Sequence, residues 1–295
     1  MNAVYENGKI LLSADASIFN LAQTLECGQC FRWECAEDGA WHGVSSGKAL
    51  RVRQTEQQII FEGTTEEEFQ TFWSDYFDLN TDYERIHKKL CERNAALRLA
   101  AVSASGLRIL RQEPWETLCS FILSQNNNIP RIKKIIETLC SCFGEKLPGG
   151  EYSFPSAEVI AELSEEDLSP IKCGFRSKYL LDAAKKIAEG KFDLHAIEMM
   201  PTEEARKMLT MLRGVGPKVA ECVLLYGFHR LEAFPVDVWM TRAMTGLFPG
   251  ESPDSFGEYA GIAQQYIYYY SRLHPELFSG DAPETSTSKE IGALS

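Results

Sequence analysis

The chain is predicted to be α+β, with a small antiparallel sheet ahead of a mainly helical body. Residues 30–63 hold short alternating runs broken by Gly39, Gly43, Gly47 and Gly63, and Ala49-Leu50-Arg51-Val52-Arg53 has the period of a half-buried strand. From Thr65 onward helix starts follow one another. The two compositions meet near residue 85, so a sheet unit is expected over 1–85, a helical unit over 86–279 and a small, polar tail over 280–295.

The helix starts carry recognisable signals. Thr64-Thr65-Glu66-Glu67-Glu68 sets a threonine cap before acids that the helix dipole favours. Glu113-Pro114-Trp115 opens a helix running through Leu118, Phe121 and Ile122. Ser177-Lys178-Tyr179-Leu180 opens another, and Pro201-Thr202-Glu203-Glu204 a fourth.

The chain has 295 residues and a formal net charge of −12. It contains no apolar run of the roughly 18–20 residues that span a bilayer. Met1 to Glu6 lacks the basic-then-apolar pattern of a signal peptide. A cytoplasmic protein is therefore expected, its nine cysteines being buried thiols rather than disulfides. Cys27, Cys30 and Cys35, with His42 nearby, offer only one short pair at metal spacing, so no metal and no cofactor is expected. The overall charge argues against a polyanionic partner, but its distribution does not. Residues 1–85 carry fifteen acids and six bases, whereas Arg206 to Arg242 carries six bases and three acids. Local potential governs docking more than the total.

Within that basic stretch lies LRGVGPKVAECVLLYGFHRLEAFPVDVW, from Leu212 to Trp239. Met208, Leu209, Met211 and Leu212 end one helix. Gly214-Val215-Gly216 reverses the chain, since glycine accepts positive φ, and Pro217 suits the first position of the next helix. The amides of such a turn, at a helix N-terminus, hold a phosphate without side-chain charge. That is one way for an acidic protein to grip DNA. Val219, Ala220, Val223 and Leu224 supply the second helix's buried stripe. Lys218 is that helix's second residue, where a cation opposes the dipole, so helix stability does not explain it. It is either a surface lysine on phosphate or an amine nucleophile activated by the helix end and partial burial. Glu221 and Cys222 lie within one turn of it. Asp237, nineteen residues on, is either the cap of the helix beginning DVWMTRAM or a functional acid, and the two are compatible.

Together, Gly214-Val215-Gly216-Pro217-Lys218 and Pro235-Val236-Asp237 resemble the helix-hairpin-helix DNA glycosylases, and in particular the 8-oxoguanine DNA glycosylase/lyases. GQCFRW (28–33), SFILSQNNNIPRIKKIIETLC (120–140), GFRSKY (174–179) and YAGIAQQYIYY (259–269) resemble further segments of that family in the same order. The resemblance implies a TBP-like sheet domain followed by an HhH-GPD glycosylase body. It implies a monomer acting on double-stranded DNA containing oxidised purine, with the base flipped out of the stack. On this resemblance Lys218 attacks C1′ and forms a Schiff base, while Asp237 stabilises charge developing on the sugar. Asn126 fills the vacated space, Arg131 and Arg176 bond the orphaned cytosine, and Phe175 wedges beside it. The Gly28 carbonyl accepts the N7–H that guanine lacks, Cys222 and Tyr268 sandwich the flipped ring, and Gln264 bonds its pairing edge. Gly214 and Gly216 hold phosphate. Guanine would set two acceptors face to face at the Gly28 carbonyl, and an unmet buried polar group costs ~1–3 kcal/mol.

Trp239 and Ser271 stand where animal members carry histidine and aspartate, so those roles are not transferred. Phe175 and Tyr268 exchange tyrosine and phenylalanine but keep an aromatic face. No cysteine follows Cys222, so the iron–sulfur loop of other helix-hairpin-helix glycosylases is absent. A monofunctional alkylbase glycosylase would need Asp237 but no lysine, and a non-enzymatic hairpin module neither Asp237 nor the Gly28 segment.

If backbone amides supply much of the phosphate grip, few counterions are displaced by side chains. The slope of log K against log salt on duplex DNA should then be on the order of −2 to −4. Titration at several salt concentrations measures it; a slope near about −8 would assign the grip to side-chain charge.

Overall fold

A computed structural model of the chain describes residues 2–277; the expected tail at 280–295 lies outside them. Six strands, β1 (Asn2–Glu6), β2 (Lys9–Ser13), β3 (Trp33–Cys35), β4 (Trp41–Ser45), β5 (Lys48–Gln54) and β6 (Gln58–Glu62), form one antiparallel sheet in the order β1-β2-β6-β5-β4-β3. Helix α1 (Leu21–Glu26) interrupts them, capped by Asn20. Alternation buries Ile10 and Leu12 of β2, Leu50 and Val52 of β5, and Ile59 and Phe61 of β6 on one face. Over that face lie α2 (Glu66–Glu68), a π-helical turn (Phe69–Trp73) and α3 (Ser74–Tyr76), which supply Phe69, Trp73 and Phe77.

The expected threonine cap is present: Thr65 accepts from Glu68 N. Two differences concern the sheet. Strands β1 and β2 lie outside the stretch in which strands are expected, although Asn7-Gly8 between them is a hairpin signal and both residues have positive φ. Gly43, expected in a turn, sits inside β4 opposite Trp33. A Cβ there would lie 2.2 Å from the Trp33 ring, so the glycine makes room for the indole. Trp33 is 1% exposed and its Nε1 donates to the Tyr76 hydroxyl at 2.7 Å.

The second apolar cluster is helical. It is built by α4 (Tyr83–Cys91), α5 (Ala95–Ser103), α6 (Pro114–Ser124), α7 (Ile129–Phe143), α8 (Ala157–Ala161), α9 (Ser177–Ala188), α10 (Leu194–Met199), α11 (Thr202–Leu209), α12 (Pro217–Tyr226), α13 (Val238–Leu247) and α14 (Ala260–Leu273). The three later helix starts fall where expected: Glu113 caps α6, α9 opens at Ser177, and Pro201 precedes α11. Helix α14 presses closely on α12, since a Cβ on Gly261 would meet Leu225 Cδ1 at 2.4 Å. Six cysteines are buried as expected, but Cys35 and Cys142 are exposed. Among the described residues no helix is long and apolar enough to cross a membrane.

Two buried polar groups tie the clusters together. Gln29 donates to Thr24 O and Arg108 O and accepts from Leu110 N. Asp78, 1% exposed, accepts from Thr81 Oγ1, Tyr83 Oη and Arg111 Nε, and faces His229 Nε2 at 3.1 Å just beyond α12. Burial works to raise the Asp78 pKa, but His229, Arg111 and Thr81 outweigh it and hold the carboxyl at about 2, against an ordinary 3.8. A depressed carboxylate stabilises the fold above its unfolded pKa, and that contribution is lost as pH falls through the folded value. Acid titration followed by circular dichroism should show loss of about 2 kcal/mol from this group between about pH 4 and pH 2. In Asp78→Asn that increment should be missing.

Candidate active site

The turn before helix α12 holds Gly214 at φ +80°, where a Cβ would lie 2.3 Å from the Tyr179 ring. Positive φ and the close tyrosine both require glycine there. Gly216 differs from expectation. It is extended, at φ −90° and ψ −179°, and a Cβ on it would meet nothing within 4 Å. A side chain at 216 would therefore not disturb the turn; it would project outward, over the helix end. Helix α11 closes at Leu209, and Met211 is 75% exposed instead of joining its apolar face. No side chain caps α12, which leaves its first-turn amides to an external acceptor.

From Val219 to Tyr226 every residue of α12 is buried, more than the stripe expected. Lys218 is half-buried, its Nζ 5.1 Å from the centre of the Phe121 ring. Glu221 does not share its neighbourhood: its carboxylate accepts from Arg206 and from Phe234 N, the latter at 2.8 Å. It thus ties the loop that leads to Asp237 back onto α12. Asp237 caps α13, accepting from Met240 N at 2.8 Å.

Lys218 and Asp237 line one small cavity with Gly28, Cys222, Gln264 and Tyr268. The sequence reading thus brought together six residues that span 240 positions. Phe121, Cys27, Tyr226, Pro235 and Gln265 complete the lining and were missed. Of these, Gln265 had a signal, since it follows Gln264 directly. Gly28 has φ +82°, and a Cβ there would lie 3.8 Å from Tyr268. Burial pushes the Cys222 thiol up to about 11, against the pull of Lys218. The cysteine is a neutral, soft surface at neutral pH. The cavity measures about 50 Å³. Ligand sites usually span about 300–1,000 Å³, so a purine enters only if a lining side chain moves.

A larger groove of about 920 Å³ runs along Arg32, Lys133, Glu137 and Tyr152 and shares Gly28 with this cavity. It holds neither Lys218 nor Asp237. Cys27 and Cys30 are buried, each donating its thiol to a backbone carbonyl.

The remaining candidates cluster around the α6–α7 loop. Asn126 is exposed with φ +52°. Arg131 is exposed in the first turn of α7. Arg176, by contrast, is 4% exposed and donates to Gln125 O, Asn126 O and Cys173 O. Its guanidinium lies 4.5 Å from the Phe175 ring centre, and Phe175 is 52% exposed. Trp239 is 37% exposed beside Arg242, and Ser271 is buried, donating to Tyr268 O at 2.8 Å.

Residues 11–118 match the family model for the 8-oxoguanine DNA glycosylase N-terminal domain, and residues 119–255 that for the HhH-GPD superfamily of base excision DNA repair proteins. A Saccharomyces cerevisiae N-glycosylase/DNA lyase is 34% identical over 266 residues, covering 81% of this chain and 70% of the relative. The structure of MBOgg1 in complex with a low-affinity DNA ligand superposes with a TM-score of 0.88 at 40% identity, covering 93% of this chain and 99% of that one. Clostridium acetobutylicum 8-oxoguanine glycosylase/lyase, solved with double-stranded DNA containing cytosine opposite 8-oxoG, superposes at 0.86 with 35% identity, covering 93% and 99%. With both family models matched in sequence order, the chain belongs to the 8-oxoguanine DNA glycosylase family of the HhH-GPD superfamily.

Proposed function

We propose that this protein is a bifunctional DNA glycosylase/lyase that excises 8-oxoguanine opposite cytosine from duplex DNA, acting as a monomer. Residues 1–85 form its sheet domain and 86–279 its glycosylase domain in this reading. The observation that carries it is one cavity lined by an amine, a carboxylate, a thiol, an aromatic ring and a glutamine. A monofunctional alkylbase glycosylase has no use for the lysine in that set.

In this reading the base is flipped into the cavity, with Tyr268 moving aside to admit it. The deprotonated Lys218 Nζ donates its electron pair to C1′. The C1′–N9 bond breaks, its electrons leaving with the base, which takes up a proton. Positive charge develops on the sugar, and the Asp237 carboxylate, held rigid by its cap, stabilises it. Opening of the sugar ring turns the C1′ adduct into a Schiff base. Loss of a C2′ proton then expels the 3′ phosphate by β-elimination. Gly28 supplies the carbonyl for N7–H, and Cys222 and Tyr268 flank the ring. The hairpin amides at Gly214 and Gly216 hold a phosphate.

At the opposite strand the two arginines take different parts. Arg131 is exposed and free to meet the orphaned cytosine with its planar fork. Arg176 directs its guanidinium at the carbonyls of 125, 126 and 173, so it holds Asn126 and Phe175 in place for the vacated stack.

Borohydride trapping on a duplex with 8-oxoguanine opposite cytosine tests the whole reading. Lys218→Gln should abolish the cross-link while binding of lesion DNA persists; a cross-link that survives would assign the chemistry to another amine. Asp237→Asn keeps much of the cap but removes the charge, and single-turnover base release should fall at least roughly tenfold. An equally active variant of unchanged stability would leave Asp237 with the cap alone. Arg131→Ala should raise excision opposite adenine relative to cytosine, whereas Arg176→Ala should slow both pairs alike. Identical behaviour of the two variants would refute the division between them.

A further inference from the structure

Gln265 lies beside Gln264 on α14 and lines the same cavity at 2% exposure. It sits one turn beyond Gly261, which is pressed onto Leu225, so its side chain is held in the α14–α12 seam. Its Nε2 donates to Gln264 Oε1 at 2.9 Å and to the Tyr226 hydroxyl. Tyr226 is itself buried, stacked on Phe121 with ring centres 5.3 Å apart, and also lines the cavity. The three side chains form a polar chain in the wall of the cavity that Lys218 and Asp237 also line. Its far atom, Gln265 Oε1, is buried with no hydrogen-bond partner.

A buried acceptor left unmet is unfavourable, and native proteins keep few of them. Here the unmet atom belongs to a residue that lines the base cavity. A flipped guanine-type base presents two kinds of donor on its pairing edge, N1–H and the 2-amino group, beside the O6 acceptor. With Gln264 Oε1 already taken by Gln265, the Gln264 amide nitrogen is the group left to face O6.

We propose that Gln265 is a second specificity-determining residue for the flipped base: its Oε1 accepts from the purine 2-amino group, and its Nε2 fixes Gln264 so that Gln264 donates to O6. The proposal rests on the functional reading above. It extends recognition from the oxidised edge at Gly28 to the presence of the 2-amino group.

The test compares single-turnover excision of 8-oxoguanine with that of 8-oxohypoxanthine, which lacks only the 2-amino group, each opposite cytosine. The wild-type protein should prefer 8-oxoguanine by about tenfold, the scale of one buried hydrogen bond. Gln265→Met, close in volume but without the acceptor, should treat the two bases nearly alike. If the variant slows both bases equally and keeps the preference, Gln265 only supports the fold and the proposal fails, although the glycosylase reading stands. If the wild type traps on neither duplex, both fail together. Calorimetric titration of the wild-type protein with free 8-oxoguanine and free 8-oxohypoxanthine gives a second measure that does not depend on the variant folding. Equal affinities there would overturn the proposal.

Discussion

Burial of α12 on all sides is the constraint on which the site depends. From Val219 to Tyr226 the helix is enclosed, so it has no freedom to roll or slide. Its N-terminus therefore stands at a fixed point on the surface, and Lys218, in the first turn, stands with it. Gly261 lets α14 approach α12 closely enough that Gln264, Gln265 and Tyr268 reach the cavity that Lys218 and Cys222 line. A bulkier residue at 261 would push α14 and its three pocket side chains away together.

Around that helix, irregular backbone is held by a few buried polar side chains. Glu221 anchors the approach to Asp237, Gln29 anchors the segment carrying Gly28, and Arg176 anchors Asn126. Each satisfies backbone groups that no regular element would satisfy. Asp78 gathers side chains instead, joining Thr81, Tyr83 and Arg111 to His229 just beyond α12. The Asp237 carboxylate, the carbonyl at Gly28 and the exposed loop tip all lie outside the helices, yet each is fixed from one side by a charged or amide group. Function sits on loops here because loops can present backbone atoms; it is usable because those loops are pinned.

The acidic balance and a polyanionic substrate are reconciled locally. Uncapped amides at the start of α12 and the exposed Arg131 offer local positive potential, while many of the acids lie on the sheet unit. Several of those acids are matched there, as Glu62 is by Lys9 and Arg51.

The sequence by itself determined the sheet-then-helix order, the hairpin and the residues proposed to do chemistry. Cap residues, prolines and glycines act over three or four positions, so Thr65, Glu113 and Gly214 were readable where they stand. Lys218 stood out because a cation at a helix start opposes the dipole, and Asp237 because an acid among apolar residues there is a cap, a functional group or both. The Asn7-Gly8 hairpin was equally local and equally legible. Tertiary structure alone decided what is set by contacts distant in the chain. It placed Gly43 under Trp33, turned Glu221 away from the lysine toward Phe234, and spent the donors of Arg176 on a loop about fifty residues earlier. It also put Phe121, Tyr226 and Gln265 into one pocket, where helical period marks them only as buried. Periodicity reports which face of a helix is inside, and only packing reports what that face meets.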